Sequence, residues 1–204
     1  MPVYAGRIPE LVADYFEKVK GNNTLAIFVV VYGNREYEDA LLELRDTLEG
    51  KGFIGVAACS FIGEHSYTSQ VGTDRPDDLD LNIARDFSER MKNKLDKTKS
   101  TDDLEFLFIK GDMPYRERKD FPEMSPYTDE SCIECGICAI FCTTSAISST
   151  DYSDIDSKKC IACCSCIKRC PVDSKSMNNE LYYMIKEKLI ENFKDNRKEP
   201  ELFI

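Results

Sequence analysis

Ten of the 204 residues are cysteine, and eight of these fall into two copies of one pattern. The first copy is Cys132, Cys135, Cys138 and Cys142; the second is Cys160, Cys163, Cys166 and Cys170. Each reads C-x2-C-x2-C-x3-C. The thiolate is the metal-ligating form of cysteine. Three thiolates at intervals of three, on a chain turning tightly around a small cube, can reach three of its corners. The fourth cysteine of such a run lies just past that turn and ligates the cube of the other run. The chemistry implied is a pair of 4Fe–4S clusters and the movement of electrons. Cys132, Cys135, Cys138 and Cys170 are assigned to one cluster, and Cys160, Cys163, Cys166 and Cys142 to the other.

Zinc and disulfides are the competing uses of cysteine. Zinc favours separated Cys/Cys or Cys/His pairs closing one tetrahedron, and neither run contains a histidine. Disulfides belong to oxidising compartments, and residues 1–7 do not have the basic-then-apolar layout of a signal peptide.

The flanks of the runs carry further signals. Gly136 lets the backbone pass close to a cluster without a Cβ. Pro171 follows Cys170, whereas Thr143 follows Cys142 and restores an N–H near a sulfur. Ile133, Ile137, Ile140, Ile147, Ile155, Ile161 and Ile167 are read as an apolar shell around both clusters. Tyr127 and Tyr152 precede the two runs and offer cover. Cys164 neighbours Cys163, so it is read as a non-ligand pointing elsewhere, and Cys59 as a buried core thiol.

The elements that must position these cysteines follow from periodicity. Residues 9–20 carry Leu11, Val12, Tyr15, Phe16 and Val19 at helical spacing. The unbroken apolar run 25–32 reads as a strand buried on both faces. Residues 36–49 predict a helix, 53–62 a second strand, 77–97 a third helix and 104–109 a short extended segment. That order argues an α/β domain with a parallel sheet over residues 1–110. A Pro-rich charged linker spans 111–126, a cluster domain 127–176, and a C-terminal helix lies within 177–204.

Formal net charge is -10. Such a surface disfavours nucleic acid and anionic membranes and suits redox protein partners with basic docking patches. The run 25–32 is far short of the roughly twenty residues of a membrane helix. No membrane span is expected, and cytoplasm is the expected compartment.

Taken along its length, the chain resembles the flavodoxin–ferredoxin fusion proteins of bacteria and archaea. The resemblance rests on residues 2–9 (PVYAGRIP), 31–41 (VYGNREYEDAL), 61–66 (FIGEHS), 75–77 (RPD), 111–115 (GDMPY) and both cysteine runs. It implies a truncated flavodoxin-like parallel sheet, then a bacterial two-4Fe–4S ferredoxin-type domain of α+β kind, then a helix. It also implies that Tyr4, Gly6, Tyr32, Gly33, Asn34 and Tyr37 lie around the ring of FMN. The phosphate-binding loop after the first strand of such a sheet has no counterpart here, so FMN is expected to bind weakly or not at all. The strand 25–32 is expected to sit near an open sheet edge. The chain is then part of a longer product, or is completed by a partner or a second copy pairing with that edge. The expected role is an iron–sulfur electron carrier. The alternative is a subunit or fragment of an FMN-dependent iron–sulfur oxidoreductase, in which His65, the sole histidine, would lie in a polar loop.

Overall fold

A computed structural model gives the fold and describes residues 1–118 and 122–204. The strands are β1 (Thr24–Tyr32), β2 (Phe53–Ile62), β3 (Pro126–Thr128), β4 (Lys175–Met177) and β5 (Glu201–Phe203). The α-helices are α1 (Ala13–Lys18), α2 (Ala40–Glu49), α3 (Asp78–Lys97), α4 (Ile137–Ile140), α5 (Ser165–Lys168) and α6 (Glu180–Phe193). The chain is a mixed α/β protein with two compact units. One comprises residues 1–65, 70–118 and 193–204; the other comprises 66–69 and 119–192.

The first unit is built on a three-stranded sheet in the order β1-β2-β5. β1 and β2 are parallel, as the buried apolar runs predict. The sheet is nevertheless mixed, because β5 joins β2 antiparallel, with Cys59 opposite Leu202. That strand corrects the reading of a purely parallel sheet and of a tail that is helix alone. α6 ends at Phe193, and three residues near the end of the chain form sheet.

One face of the sheet presents Phe28, Val30, Tyr32 and Ala58 to Leu41 and Leu44 of α2, with Ile8 and Phe16 completing the core. On the other face Ala57 and Cys59 meet Phe87 and Met91 of α3. α3 starts where its sequence says: the Asp77 side chain accepts from Leu79 and Asp80 N–H in a reciprocal capping box. α2 starts later than its apolar period suggests, at Ala40, because Glu38 takes a left-handed φ of 45°. The outer edge of β1 is taken up beside Val29–Val31 by residues 1–3, through Met1 N to Val29 O at 2.7 Å and Val3 N to Val31 O at 3.1 Å. Among the described residues no further strand pairs that edge, and Leu25, Ile27 and Val31 stay exposed.

The linker read at 111–126 includes residues 119–121, which lie outside the described residues. Its first part is bound into the first unit. Asp112 N and Arg116 N donate to the two oxygens of Asp39, at 2.9 and 2.6 Å, and Tyr115 Oη donates to Asp46 at 2.6 Å.

The second unit holds both cysteine runs. β3 and β4 pair antiparallel, and Met124, Ala162, Cys164, Met177 and Tyr182 form its small core. Tyr182 Oη donates to Tyr67 O at 3.0 Å, with the two rings 4.8 Å apart. Among the described residues no helix is long and apolar enough to cross a membrane.

Candidate metal centre

The two cysteine runs fold alike. In each, the second residue between the first two cysteines has a left-handed φ: Glu134 (53°) and Ala162 (50°). In each, a second left-handed residue opens a single helical turn: Gly136 (76°) before α4 and Cys164 (58°) before α5. A third, Ser145 (51°) and Asp173 (53°), follows the fourth cysteine. Alternating right- and left-handed residues curl the backbone into a concavity that turns its N–H groups inward, the arrangement used at many iron–sulfur sites. At Gly136 a Cβ would stand 3.0 Å from Tyr152 Oη, so the close approach needs glycine.

Two partly open hollows result. The first has about 290 Å³ of empty space and is lined by Cys132, Cys135, Cys138 and Cys170. The second has about 390 Å³ and is lined by Cys142, Cys160, Cys163 and Cys166, with Cys164, the residue read as pointing elsewhere, also in its wall. Each hollow's lining thus includes three cysteines of one run and the fourth cysteine of the other. Eleven lining residues of the first hollow correspond, at an offset of 28 positions, to eleven of the second. Thus Cys132 matches Cys160, Gly136 matches Cys164, and Ile147 matches Lys175.

The fourth cysteines receive matching hydrogen bonds. Ala146 N donates to Cys142 Sγ at 3.2 Å, and Thr144 Oγ1 lies 3.6 Å from it. Ser174 N donates to Cys170 Sγ at 3.3 Å, with Ser174 Oγ at 3.2 Å. Burial pushes both thiols up, but these hydrogen bonds outweigh it and hold both below the usual thiol range. Elsewhere burial wins. It raises Cys138 and Cys160, and it takes Cys166 up to about 11, helped by neighbouring Cys163. A thiol in such surroundings loses its proton readily only to a metal.

Among the described residues no three Cys, His, Asp or Glu groups stand close enough to hold one metal ion. Four thiolates on a single zinc at about 2.3 Å would lie roughly 4 Å apart. A cubane spreads its four ligands wider, because each binds a different iron. Four cysteines, three from one run and one from the other, are a donor set that a cubane takes.

Lys175 supplies an independent observation. It lines the first hollow and is only 3% exposed. Nζ donates to Thr128 Oγ1 at 2.6 Å and to Tyr152 O at 2.7 Å, and among the described residues no carboxylate forms an ion pair with it. A buried charge needs an opposite charge nearby, and four cysteines share the lining of this hollow with Lys175.

Around these sites the expected apolar shell is only partly realised. Ile147 is buried, but Ile133 and Ile140 are exposed, and Ile140 lines neither hollow. Tyr152 lines the first hollow, whereas Tyr127 is exposed in β3. Cys164 is buried beside Met124, Met177 and Tyr182, with its thiol pushed up to about 12 by burial.

The residues expected around a flavin ring lie in the first unit and are occupied within it. Tyr32, Asn34 and Tyr37 are buried, and the Tyr32 and Tyr37 rings are 5.5 Å apart. Tyr37 Oη donates to Glu201 at 2.8 Å; Asn34 Nδ2 donates to Asn196 O at 2.5 Å, and Asn34 Oδ1 accepts from Lys198 N at 3.1 Å. Burial first, and the Glu201 contact second, raise the Tyr37 hydroxyl far above its ordinary range. Tyr4 is tied through its backbone to Arg7, Gly6 is covered by the Glu38 side chain, and Gly33 packs on His65. Sequence reasoning missed Lys175, Ser174 and Thr144, although laying one cysteine run over the other would have singled out Lys175 opposite Ile147.

No protein-family model, curated protein or solved structure matches this chain.

Proposed function

We propose that the chain is an iron–sulfur electron-transfer protein whose two hollows each hold a 4Fe–4S cluster. The observation that carries this reading is that the eight cysteines of the two runs line two hollows, each hollow taking three from one run and the fourth from the other, with Cys164 as an additional cysteine in the second. Such clusters, when bound, supply one-electron chemistry. The chain's own residues ligate, curl backbone N–H groups inward and, at Cys142 and Cys170, donate hydrogen bonds to sulfur. Each of these is a lever on reduction potential.

In this reading the chain is an electron carrier, of the same kind as flavodoxin–ferredoxin fusions, working in the cytoplasm with protein redox partners. Its net charge of -10 suits a basic docking surface on the partner. The open stretch of the β1 edge is the place where a second copy or a partner strand would pair.

The test is anaerobic reconstitution with iron and sulfide. The expected product contains about eight irons per chain and gives the electron paramagnetic resonance of two reduced clusters after dithionite. Retention of zinc in preference to iron, or uptake of neither, overturns the proposal.

A further inference from the structure

The two hollows are built alike, residue for residue, yet one position differs in charge. Five residues beyond the fourth cysteine stands Ile147 in the second hollow and Lys175 in the first. Both are buried. Both stand in antiparallel pairings, Ile147 with Ile155 and Lys175 with Thr128. The backbone context is therefore shared, and the side chains differ by one positive charge.

That charge is fixed in place. Two of the three ammonium hydrogens go to Thr128 Oγ1 and Tyr152 O, which fixes Nζ beside Tyr152, itself a lining residue of the first hollow. Only the first hollow has Lys175 in its lining.

We propose that Lys175 makes the first cluster, on Cys132, Cys135, Cys138 and Cys170, the stronger electron acceptor of the two, so that a single electron on the protein rests there. This rests on the two-cluster reading above. The physical cause is simple. Reduction adds one electron and no proton to a cluster and makes it more negative. A positive charge held close by, in a site of low dielectric, stabilises the reduced form more than the oxidised one. The electron comes from a low-potential one-electron donor, dithionite in the test below.

The experiment is a potentiometric titration of the loaded protein followed by electron paramagnetic resonance. Paramagnetically shifted cysteine β-proton signals assign each potential to its hollow. Lys175→Ile copies the residue of the second hollow. It is expected to weaken electron uptake by the first cluster at least tenfold, ~59 mV for one electron, and to narrow the gap between the two. Lys175→Arg keeps the charge and should leave the order of the potentials unchanged. Ile147→Lys, the mirror variant, should raise the potential of the second cluster, and it must do so whether or not Lys175→Ile assembles. Unchanged potentials in Lys175→Ile or Ile147→Lys, with about eight irons retained, overturn the inference while leaving the two-cluster reading intact. A wild-type chain that takes up no iron overturns that reading and this inference with it.

Discussion

Arg169 lies over the ring of Phe141, its guanidinium carbon 4.2 Å from the ring centroid. These residues hold the same position in the two cysteine runs, each immediately before the fourth cysteine. Equivalent positions of the two runs therefore meet in space, one residue before each fourth cysteine.

The crossing predicts a selective defect. Cys170→Ala removes a ligand from the hollow of Cys132, Cys135 and Cys138 while leaving its own run with three cysteines and Cys142. Iron should fall from about eight to about four per chain, and the surviving signal should belong to the Cys160 hollow. Iron and sulfide analysis with paramagnetic resonance measures it. Loss of the Cys160 cluster alone would refute the crossed assignment.

Much of the frame was legible because its signals are local. The apolar runs of β1 and β2 and the Asp77 cap of α3 are read from neighbours in sequence, and they stand where expected. What escaped is what depends on distant partners. β5 is three residues long and acquires its structure only by pairing with Ala58–Ser60 of β2. Residues 111–118 read as linker because the binding of Asp112 and Arg116 to Asp39 has no local sequence signature. Lys175 drew no reading from the sequence, because nothing in its neighbours marks its burial.

Arg75 and Asp80 form a buried bidentate ion pair, with Asp80 1% exposed. Arg75 Nη1 also donates to Lys198 O at 2.9 Å, so the pair ties the start of α3 to the C-terminal segment. Asp80→Asn leaves a buried guanidinium whose nearest other carboxylate, Asp77, is 4.0 Å away. The expected loss is about 3 kcal/mol, measured by urea unfolding. Arg75→Met combined with Asp80→Leu should recover most of it, since replacing both partners removes the unpaired charge. A double variant no more stable than Asp80→Asn would show that packing, and not charge, was lost.

Tyr37, Asn34 and Tyr32 have their polar groups or faces committed to the chain itself, chiefly to residues 196–201. Added FMN should therefore show no saturable quenching of its fluorescence. Tyr37→Phe removes the bond to Glu201, whose other oxygen keeps Lys110 at 2.6 Å. The expected destabilisation is roughly 1–2 kcal/mol, with no gain in flavin affinity. Tight FMN binding by the wild-type chain would mean that the C-terminal segment leaves the sheet, and the buried arrangement would then not be the flavin-binding state.

Cys59 provides the pH test. It is fully buried between the sheet and α3, and burial pushes its thiol from 9.0 up to about 12, a shift the nearby amino terminus only moderates. Below about pH 9 both native and unfolded chains hold the proton, so the stabilising contribution is complete. Between about 9 and 12 the unfolded thiol ionises while the native thiol stays neutral. The unfolded state then binds fewer protons, and stability falls as pH rises, by about 1.4 kcal/mol per pH unit for this group. Cys59→Ala loses some packing at every pH but lacks this slope. Urea unfolding of the two iron-loaded proteins from pH 8 upward should therefore give curves that converge above pH 9. Parallel curves would mean that Cys59 ionises in the native protein as easily as in the unfolded one, and that the α3 face of the sheet admits water.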